Sequence, residues 1–196
     1  MRLLFLGDVV GRGLEAAATV GQLPAAVAAL AATVDSPAAL PHRLDGFVRP
    51  FPAAVCTTVV CVELTLATGE LRYACAGHPP PLLVRPDGTN SMLEGGRSTP
   101  IGISAGPRPV AEHRLEVGER LLLYTDGLVE RRGERIDCGF ERLRQAASRL
   151  GSQRDDGPFL DEVIAATVPE ASSDDVCLLM VHRLVPSQTL AVSVLD

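Results

Sequence analysis

Residues 56–76 read CTTVVCVELTLATGELRYACA, and this stretch decides the fold. Valine and threonine dominate Cys56 to Leu66, the run from Ala67 to Glu70 is typical of a hairpin turn, and Leu71 to Ala76 returns as the partner strand. Because a turn this short joins antiparallel neighbours, the stretch predicts a sheet assembled from hairpins.

Helices and further strands flank this hairpin. Before it, the sequence predicts a strand at 3–6, a helix over 14–34 that kinks or restarts at Pro24, and a helix from 37 to about 48. After it, the pattern predicts strands at 82–85, 91–93, 110–116, 120–125 and 176–181, and helices at 140–150 and 159–167. The separate runs of helices and strands favour an antiparallel sheet system flanked by helices, with no placement assigned to residues 184–196.

Length and charge narrow the functional classes. A chain of 196 residues fits one domain, or one domain with a tail. The net charge is −6 and the 18 basic residues are scattered, so we expect no nucleic-acid partner. No apolar run approaches the ~18 residues of a membrane span. The apolar run at the start is also too short for a secretory signal, so we expect a cytoplasmic protein without membrane contact.

Two residue types restrict the chemistry. All 18 basic residues are arginine, and a chain without lysine has neither a Walker-type phosphate-binding lysine nor a Schiff-base lysine. The five cysteines form no C-x-x-C pair, and we expect them to be reduced and buried as small hydrophobic residues. A zinc site is therefore not expected, and we expect His42, His113 and His182 to lie at the surface or at an edge.

Acidic residues border three of the predicted strands. Asp8 follows the first strand, Asp126 follows residues 120–125, and Asp174 and Asp175 precede the last strand. Carboxylates held at strand ends can converge on one site, and such hard oxygen ligands suit Mg²⁺ or Mn²⁺. Each of them could instead be ordinary turn or capping chemistry, since Asp beside Gly or Ser is common in turns.

Four motifs occur in the order of one known family: GDVVGRGLEAA at 7–17, AGHPPPL at 76–82, LLLYTDG at 121–127 and SDDV at 173–176. Over residues 3–183 the chain resembles the bacterial metal-dependent serine/threonine phosphatases of the protein phosphatase 2C type (PPM), in the branch of sporulation stage II E and stress-sigma-factor regulators. The resemblance implies an α+β fold of two packed antiparallel β-sheets flanked by helices. It implies a phosphatase domain at residues 1–183 and a C-terminal tail at 184–196.

The resemblance also implies a metal site. Asp8 matches a carboxylate that bridges two metal ions, and the backbone carbonyl of Val9 matches a further ligand. Asp126 matches a ligand of the second ion and Asp174 aligns with another ligand, with Asp175 as the adjacent alternative. Two Mn²⁺ or Mg²⁺ ions are expected in an intact site. Arg12 stands where this branch often has histidine, and it either grips a phosphate bidentately or lies solvated in the loop.

The implied activity is hydrolysis of phosphoserine or phosphothreonine by a metal-activated water, without a phosphoenzyme. The implied partner is a phosphorylated anti-sigma-factor antagonist in a partner-switching pathway. The family places two strands and a Gly-Asp-aromatic-x-Asp motif upstream of the Asp8 segment, whereas this sequence begins almost at that segment, so we expect an N-terminally incomplete domain. The alternative is a catalytically impaired phosphatase-like module that binds such a regulator.

Overall fold

A computed structural model describes residues 1–9, 14–34, 36–37, 39–51, 56–103, 106–153, 155–168, 175–184 and 191–195, with only the main chain described at 14–20 and 191–195. The chain divides into two compact units. The first unit is Met1–Pro79 with Glu94–Arg114, and the second is Pro80–Leu93 with Leu115–Asp196.

The described residues form ten strands and four α-helices. In chain order these are β1 (Arg2–Asp8), α1 (Leu14–Ala31), α2 (Ala39–Val48), β2 (Thr58–Leu64), β3 (Glu70–Ala76), β4 (Leu82–Val84), β5 (Asn90–Met92), β6 (Arg97–Ser98), β7 (Ala111–Arg114), β8 (Arg120–Tyr124), α3 (Ile136–Leu150), α4 (Asp156–Thr167), β9 (Leu178–His182) and β10 (Ala191–Leu195).

The first unit contains a five-stranded sheet in the order β1-β2-β3-β6, with β7 also paired to β3. The hairpin predicted from residues 56–76 is present as β2 and β3, in a register that places Val60 opposite Cys75 and Leu64 opposite Leu71. At its turn Gly69 has a φ of 77°, which glycine adopts without a steric penalty. The pairings are antiparallel except for the two-residue parallel pairing of β3 with β6.

Helix α2 packs on this sheet through residues spaced four apart. Leu40, Leu44 and Val48 are fully buried and share a core cluster with Val59 of β2 and Ile101. Residues at i, i+4 and i+8 lie on one face of a helix, so the spacing explains which side of α2 faces the sheet. Burial of each such side chain contributes about 1.5–3 kcal/mol to folding.

Helix α1 continues through Pro24 without restarting, although the sequence predicts a kink or restart there. A cavity of about 550 Å³ lies between this helix and the sheet, lined by apolar side chains that include Phe5, Leu23, Ala28 and Val59. Ala28 and Ala31 of the helix line this space with small side chains. No helix in the described residues combines the length and hydrophobicity needed to cross a lipid bilayer.

The second unit contains an antiparallel sheet in the order β10-β9-β8-β4-β5. Alternate residues of its strands share one core cluster with apolar residues of α3 and α4, as the period of two in a strand requires. The strand residues of this cluster are Leu82, Val84, Leu122, Tyr124, Leu178 and Met180, and the helix residues are Leu143, Ala147, Phe159, Leu160 and Val163. The predicted fold class, α+β with two antiparallel sheets and helices, is confirmed.

The structure adds two strands and corrects two burial predictions. Strand β6 was not predicted, and part of the unplaced C-terminal segment forms β10, which pairs antiparallel with β9. Of the five cysteines expected to be buried, Cys61 and Cys75 are buried and Cys56 and Cys177 are half-buried. Cys138 is exposed, because α3 turns it toward solvent. His182, expected at a surface or edge, is buried, and its Nδ1 lies 2.9 Å from a carboxylate oxygen of Asp156.

Candidate metal centre

Asp126 stands where the central strand of the second unit ends. Strand β8 is buried along its whole length, and after Thr125 the chain enters a single 3-10 turn, Asp126–Leu128. The main-chain oxygen of Asp126 accepts hydrogen bonds from the N–H groups of Val129 at 2.8 Å and Glu130 at 2.7 Å. These bonds fix the main chain from which the carboxylate projects.

One carboxylate oxygen of Asp126 is buried and meets no hydrogen-bond donor among the described residues. In the described part of the chain no hydrogen-bond donor reaches its Oδ1, which is shielded from solvent. A buried charged oxygen without a partner loses its solvation free energy, and native structures retain such atoms where an ion or a function requires them. A divalent cation that prefers carboxylate oxygen would satisfy this atom, so Asp126 fits the predicted role of metal ligand.

Thr125 connects the Asp126 turn to the segment before β9. Its hydroxyl donates to the main-chain oxygen of Asp175 at 3.1 Å and accepts from the N–H of Cys177 at 2.9 Å. Its own N–H donates to the main-chain oxygen of Cys177 at 3.1 Å. Three hydrogen bonds therefore hold Asp126 and Asp175 at the same end of neighbouring strands.

The sequence does not predict that Thr125 joins two segments, although Thr125 belongs to the motif LLLYTDG. The available signal was a hydroxyl residue directly before Asp-Gly at a strand end. Such a hydroxyl can donate and accept at the same time, and so can satisfy two main-chain groups that would otherwise end the ladder unpaired.

Asp175 is exposed, and Asp174 lies outside the described residues. The phosphate-binding candidate Arg12 also lies outside the described residues. The assignment of the ligand role to Asp174 rather than to Asp175 therefore stays a prediction.

Asp8 is the last residue of β1 in the first unit. It is half-buried and lies opposite Thr58, the first residue of β2. The preceding Gly7 lies close to that strand, since a Cβ there would come within 3.0 Å of Val59 Cγ1 and 3.1 Å of the Thr58 carbonyl oxygen. The side chain of the following Val9 packs against the core cluster that contains Val59.

The AGHPPPL motif forms a fixed loop after β3. Gly77 has a φ of 70°, and a Cβ there would come within 2.5 Å of Pro100. His78 is 2% exposed, and its Nδ1 lies 3.2 Å from the Pro79 carbonyl oxygen. Burial lowers the pKa of the imidazole to about 4, with a smaller opposing effect from that hydrogen bond, so the ring is neutral at pH 7.

The predicted ligands are divided between the units. Asp8 and Val9 belong to the first unit, and Asp126 and Asp175 belong to the second. Among the residues that the structure describes, no three His, Cys, Asp or Glu side chains are grouped closely enough to hold an ion. The convergence of Asp8 with Asp126 therefore stays a prediction, while the pairing of the Asp126 and Asp175 segments is observed.

Comparison with known proteins identifies similar sequences and folds. The family model of stage II sporulation protein E (SpoIIE) matches residues 2–184. The structure of the RsbU and RsbW domains of Rv1364c from Mycobacterium tuberculosis is 32% identical, with a TM-score of 0.84, over 94% of this chain and 53% of that chain. This chain thus spans about half the length of that relative.

Two more distant structures share the fold. The PP2C phosphatase domain of SpoIIE from Bacillus subtilis, solved with a fragment of its regulatory domain, is 15% identical with a TM-score of 0.72, over 91% of this chain and 53% of that chain. The catalytic domain of the serine threonine protein phosphatase PstP, solved with two manganese ions, is 17% identical with a TM-score of 0.56, over 100% of this chain and 88% of that chain.

Proposed function

The chain belongs to the stage II sporulation protein E family, and SpoIIE from Bacillus subtilis has a PP2C phosphatase domain; from this membership we propose that the chain is a Mg²⁺- or Mn²⁺-dependent protein serine/threonine phosphatase. One observation carries the proposal beyond family membership. The buried Oδ1 of Asp126 meets no donor in the described part of the chain, at the strand end where a metal ligand is expected.

The proposed ligands are Asp8, the carbonyl of Val9, Asp126 and Asp174, with Asp175 as the alternative to Asp174. Thr125 supports this set, because its hydrogen bonds to the main chain of Asp175 and Cys177 hold the segments of Asp126 and Asp175 at the same end of neighbouring strands. A donor set of carboxylate and carbonyl oxygens favours Mg²⁺ or Mn²⁺ over softer metals. The two manganese ions reported for PstP support two ions as the number bound.

The chemistry divides between the ions and the chain. Two bound ions would supply a nucleophilic water at neutral pH and neutralise charge on the phosphoryl oxygens. The chain's residues hold and orient the ligands, and no side chain needs to become phosphorylated. Arg12 is the proposed phosphate-binding residue, since a guanidinium can donate two parallel hydrogen bonds to phosphate oxygens.

The proposed substrate is a phosphorylated anti-sigma-factor antagonist in a cytoplasmic partner-switching pathway. The family resemblance supports this, and so does the relative at 32% identity, in whose structure an RsbU domain and an RsbW domain occur together. We assign the activity to residues 1–183 and treat 184–196 as a C-terminal segment. Strand β10 of that segment completes the sheet of the second unit.

The test is phosphate release from a phosphoserine protein of this class, with and without Mn²⁺. Asp8→Ala and Asp126→Ala are each expected to lower the Mn²⁺-dependent rate about 100-fold or more, because each would remove charge from the ion site. Asp161→Ala is the matched control, since this aspartate is exposed on α4, and its rate should equal that of the wild type.

A rate of phosphate release that is the same without Mn²⁺ and in both Asp variants would contradict the proposal. A chain that binds the phosphoprotein but releases no phosphate in Mn²⁺ would favour the alternative, a phosphatase-like binding module.

A further inference from the structure

A buried ion pair joins helix α2 to the loop before β7. The Arg108 side chain is 2% exposed and that of Asp45 is 8% exposed. Arg108 Nε and Nη2 donate to Asp45 Oδ2 at 3.0 Å and Oδ1 at 2.7 Å. This bidentate arrangement is the strongest geometry available to an arginine–carboxylate pair.

The remaining donors of Arg108 hold the chain that follows β6. Its Nη1 donates to Ser98 Oγ at 2.8 Å and to the Thr99 carbonyl at 2.6 Å, and its Nη2 donates to the Pro100 carbonyl at 3.3 Å. All five N–H groups of the guanidinium are therefore used. A lysine has only three donors on one atom, so it cannot hold the same set of acceptors.

Asp45 holds the same segment from the other side. Its Oδ1 also accepts from the N–H of Gly102 at 2.8 Å. Residues 98–102 are thus fixed by Arg108 at one end and Asp45 at the other. We call Arg108, Asp45 and residues 98–102 the buried clamp.

Ile101 connects the buried clamp to the start of β2 through two main-chain hydrogen bonds. The N–H of Ile101 donates to the Thr57 carbonyl at 2.9 Å, and its carbonyl accepts from the N–H of Cys56 at 2.9 Å. Cys56 has a φ of 75°, the one positive value at a non-glycine residue in the described part of the chain. A residue with a side chain rarely adopts such a conformation, and it persists only where neighbouring contacts impose it.

Asp8 lies directly opposite the first residue of β2. Thr58 follows Thr57 as the first residue of β2, and it is the Cα partner of Asp8 in the β1–β2 ladder. A shift of Cys56 or Thr57 would therefore move the end of the ladder that carries the Asp8 carboxylate.

We propose that the Arg108–Asp45 ion pair is a positioning device for Asp8, holding residues 98–102 and, through Ile101, the start of β2 in the place that sets the Asp8 end of β1. The inference rests on the proposed metal role of Asp8. Arg108 and Asp45 are positioning residues, because they act on the site through the main chain of 56–58 and 98–102.

The test measures Mn²⁺ binding to the full chain by titration calorimetry, together with hydrogen exchange at the amide of Ile101. Arg108→Lys keeps the charge but has too few donors for the clamp. A double variant, Arg108→Met with Asp45→Leu, removes the pair without leaving one buried charge alone, which protects the fold. Both are expected to bind Mn²⁺ about tenfold more weakly and to exchange the Ile101 amide faster.

A second buried pair provides the matched control. Arg120 and Asp156 are 3% and 17% exposed, with Arg120 Nε 3.1 Å from Asp156 Oδ1. Arg120 begins β8, at the opposite end of that strand from Asp126. The double variant Arg120→Met with Asp156→Leu should change Mn²⁺ affinity by less than about twofold, even where it lowers the melting temperature.

Asp8→Asn separates this inference from the proposed function. If Asp8→Asn weakens Mn²⁺ binding while both clamp variants bind normally, the inference is wrong and the proposed function stands. If Asp8→Asn binds Mn²⁺ normally, the metal role of Asp8 is wrong and the inference fails with it. Equal weakening in the control pair, or failure of both clamp variants to fold, also overturns the inference, because the pair would then serve general stability.

Discussion

The hydroxyl of Thr125 donates a hydrogen bond to the main-chain oxygen of Asp175 at 3.1 Å. The two residues are 50 positions apart in the chain, and each is next to a proposed metal ligand, Asp126 and Asp174. One side chain thus joins the two segments that carry the proposed carboxylate ligands Asp126 and Asp174.

Thr125→Val tests this connection, because valine has nearly the shape of threonine and lacks the hydroxyl. The variant leaves the carbonyl of 175 and the N–H of 177 without their partner, which should lower the free energy of unfolding by about 1–3 kcal/mol. Mn²⁺ affinity should fall as well, since the two segments are no longer held together. Denaturant unfolding and calorimetry measure the two effects.

Thr125→Ser is the control for that prediction, since serine keeps the hydroxyl. It should retain most of the Mn²⁺ affinity of the wild type. A valine variant with unchanged Mn²⁺ affinity would show that the hydrogen bonds of Thr125 serve stability alone.

Asp126→Asn should separate stability from metal binding. In the metal-free protein it replaces a half-buried carboxylate, whose Oδ1 meets no donor among the described residues, by a neutral amide. The free energy of unfolding in EDTA should therefore stay within about 0.5 kcal/mol of wild type or rise. With Mn²⁺ at a hundred times its dissociation constant, the wild type should gain about 2.7 kcal/mol, and the variant should lose that gain.

Thermal unfolding with EDTA and with Mn²⁺ measures both parts of this prediction. Asp161→Asn, on the exposed face of α4, should keep the full Mn²⁺-induced shift. If Asp126→Asn also keeps the full Mn²⁺-induced shift, the proposed ligand role of Asp126 is wrong.

The sequence predicts elements whose pattern is local. The hairpin of β2 and β3, the two helices before it and the buried strands around 82–84 and 120–124 follow from periods of two or 3.6 residues and from turn residues. Strand β6 has only two residues, which is too short to show a hydrophobic period. Strand β10 forms by pairing with the edge of β9, which is a tertiary contact. Neither could be read from the residues alone.

The candidate site shows the same limit. The positions of Asp126 and Asp175 at strand ends could be predicted from the motifs, but the hydrogen bonds of Thr125 depend on which strands become neighbours. The ion pair of Arg108 with Asp45 joins positions 63 apart, where no local pattern links the two residues. His182 appeared to be an edge residue for a related reason, since its burial depends on Asp156 at the start of α4.

His78 should make stability depend on pH. The pKa of its imidazole is about 4 in the folded chain because of burial, against 6.5 for a free histidine, so the unfolded chain binds the proton first as pH falls. The stability associated with His78 is complete above pH 6.5 and is lost as pH falls toward 4, by about 3 kcal/mol in total. Denaturant unfolding at several pH values measures this slope.

His78→Gln removes the titrating group, so its stability should fall less steeply than that of the wild type between pH 6.5 and 4. Carboxylates titrate over the lower part of this range in both proteins, so the informative quantity is the difference between the two slopes. His42→Gln is the control, because His42 is exposed on α2, and its slope should match the wild type. Identical slopes in all three proteins would contradict the burial effect.

Gly139 should be required for the Asp126 turn. It is buried in the first turn of α3, and a Cβ there would overlap the main-chain carbonyl oxygen of Val129. The N–H of Val129 donates to the main-chain oxygen of Asp126 at 2.8 Å, so anything that moves Val129 also moves the turn that carries the carboxylate. Gly139→Ala forces α3 and Val129 apart, which should lower the free energy of unfolding by about 1–3 kcal/mol and reduce the Mn²⁺-induced stabilisation.

Gly46→Ala distinguishes this steric effect from the general effect of alanine in a helix. Gly46 is exposed in the interior of α2, and a Cβ there meets no heavy atom within 4 Å. Alanine has the higher helix propensity, so Gly46→Ala should keep or raise the free energy of unfolding, by up to about 1 kcal/mol, with the Mn²⁺-induced shift unchanged. Because the two substitutions are chemically identical, a destabilised Gly139→Ala beside a stable Gly46→Ala assigns the loss to the contact with Val129. A Gly139→Ala variant with the stability and Mn²⁺ response of the wild type would show that α3 can shift without moving Asp126.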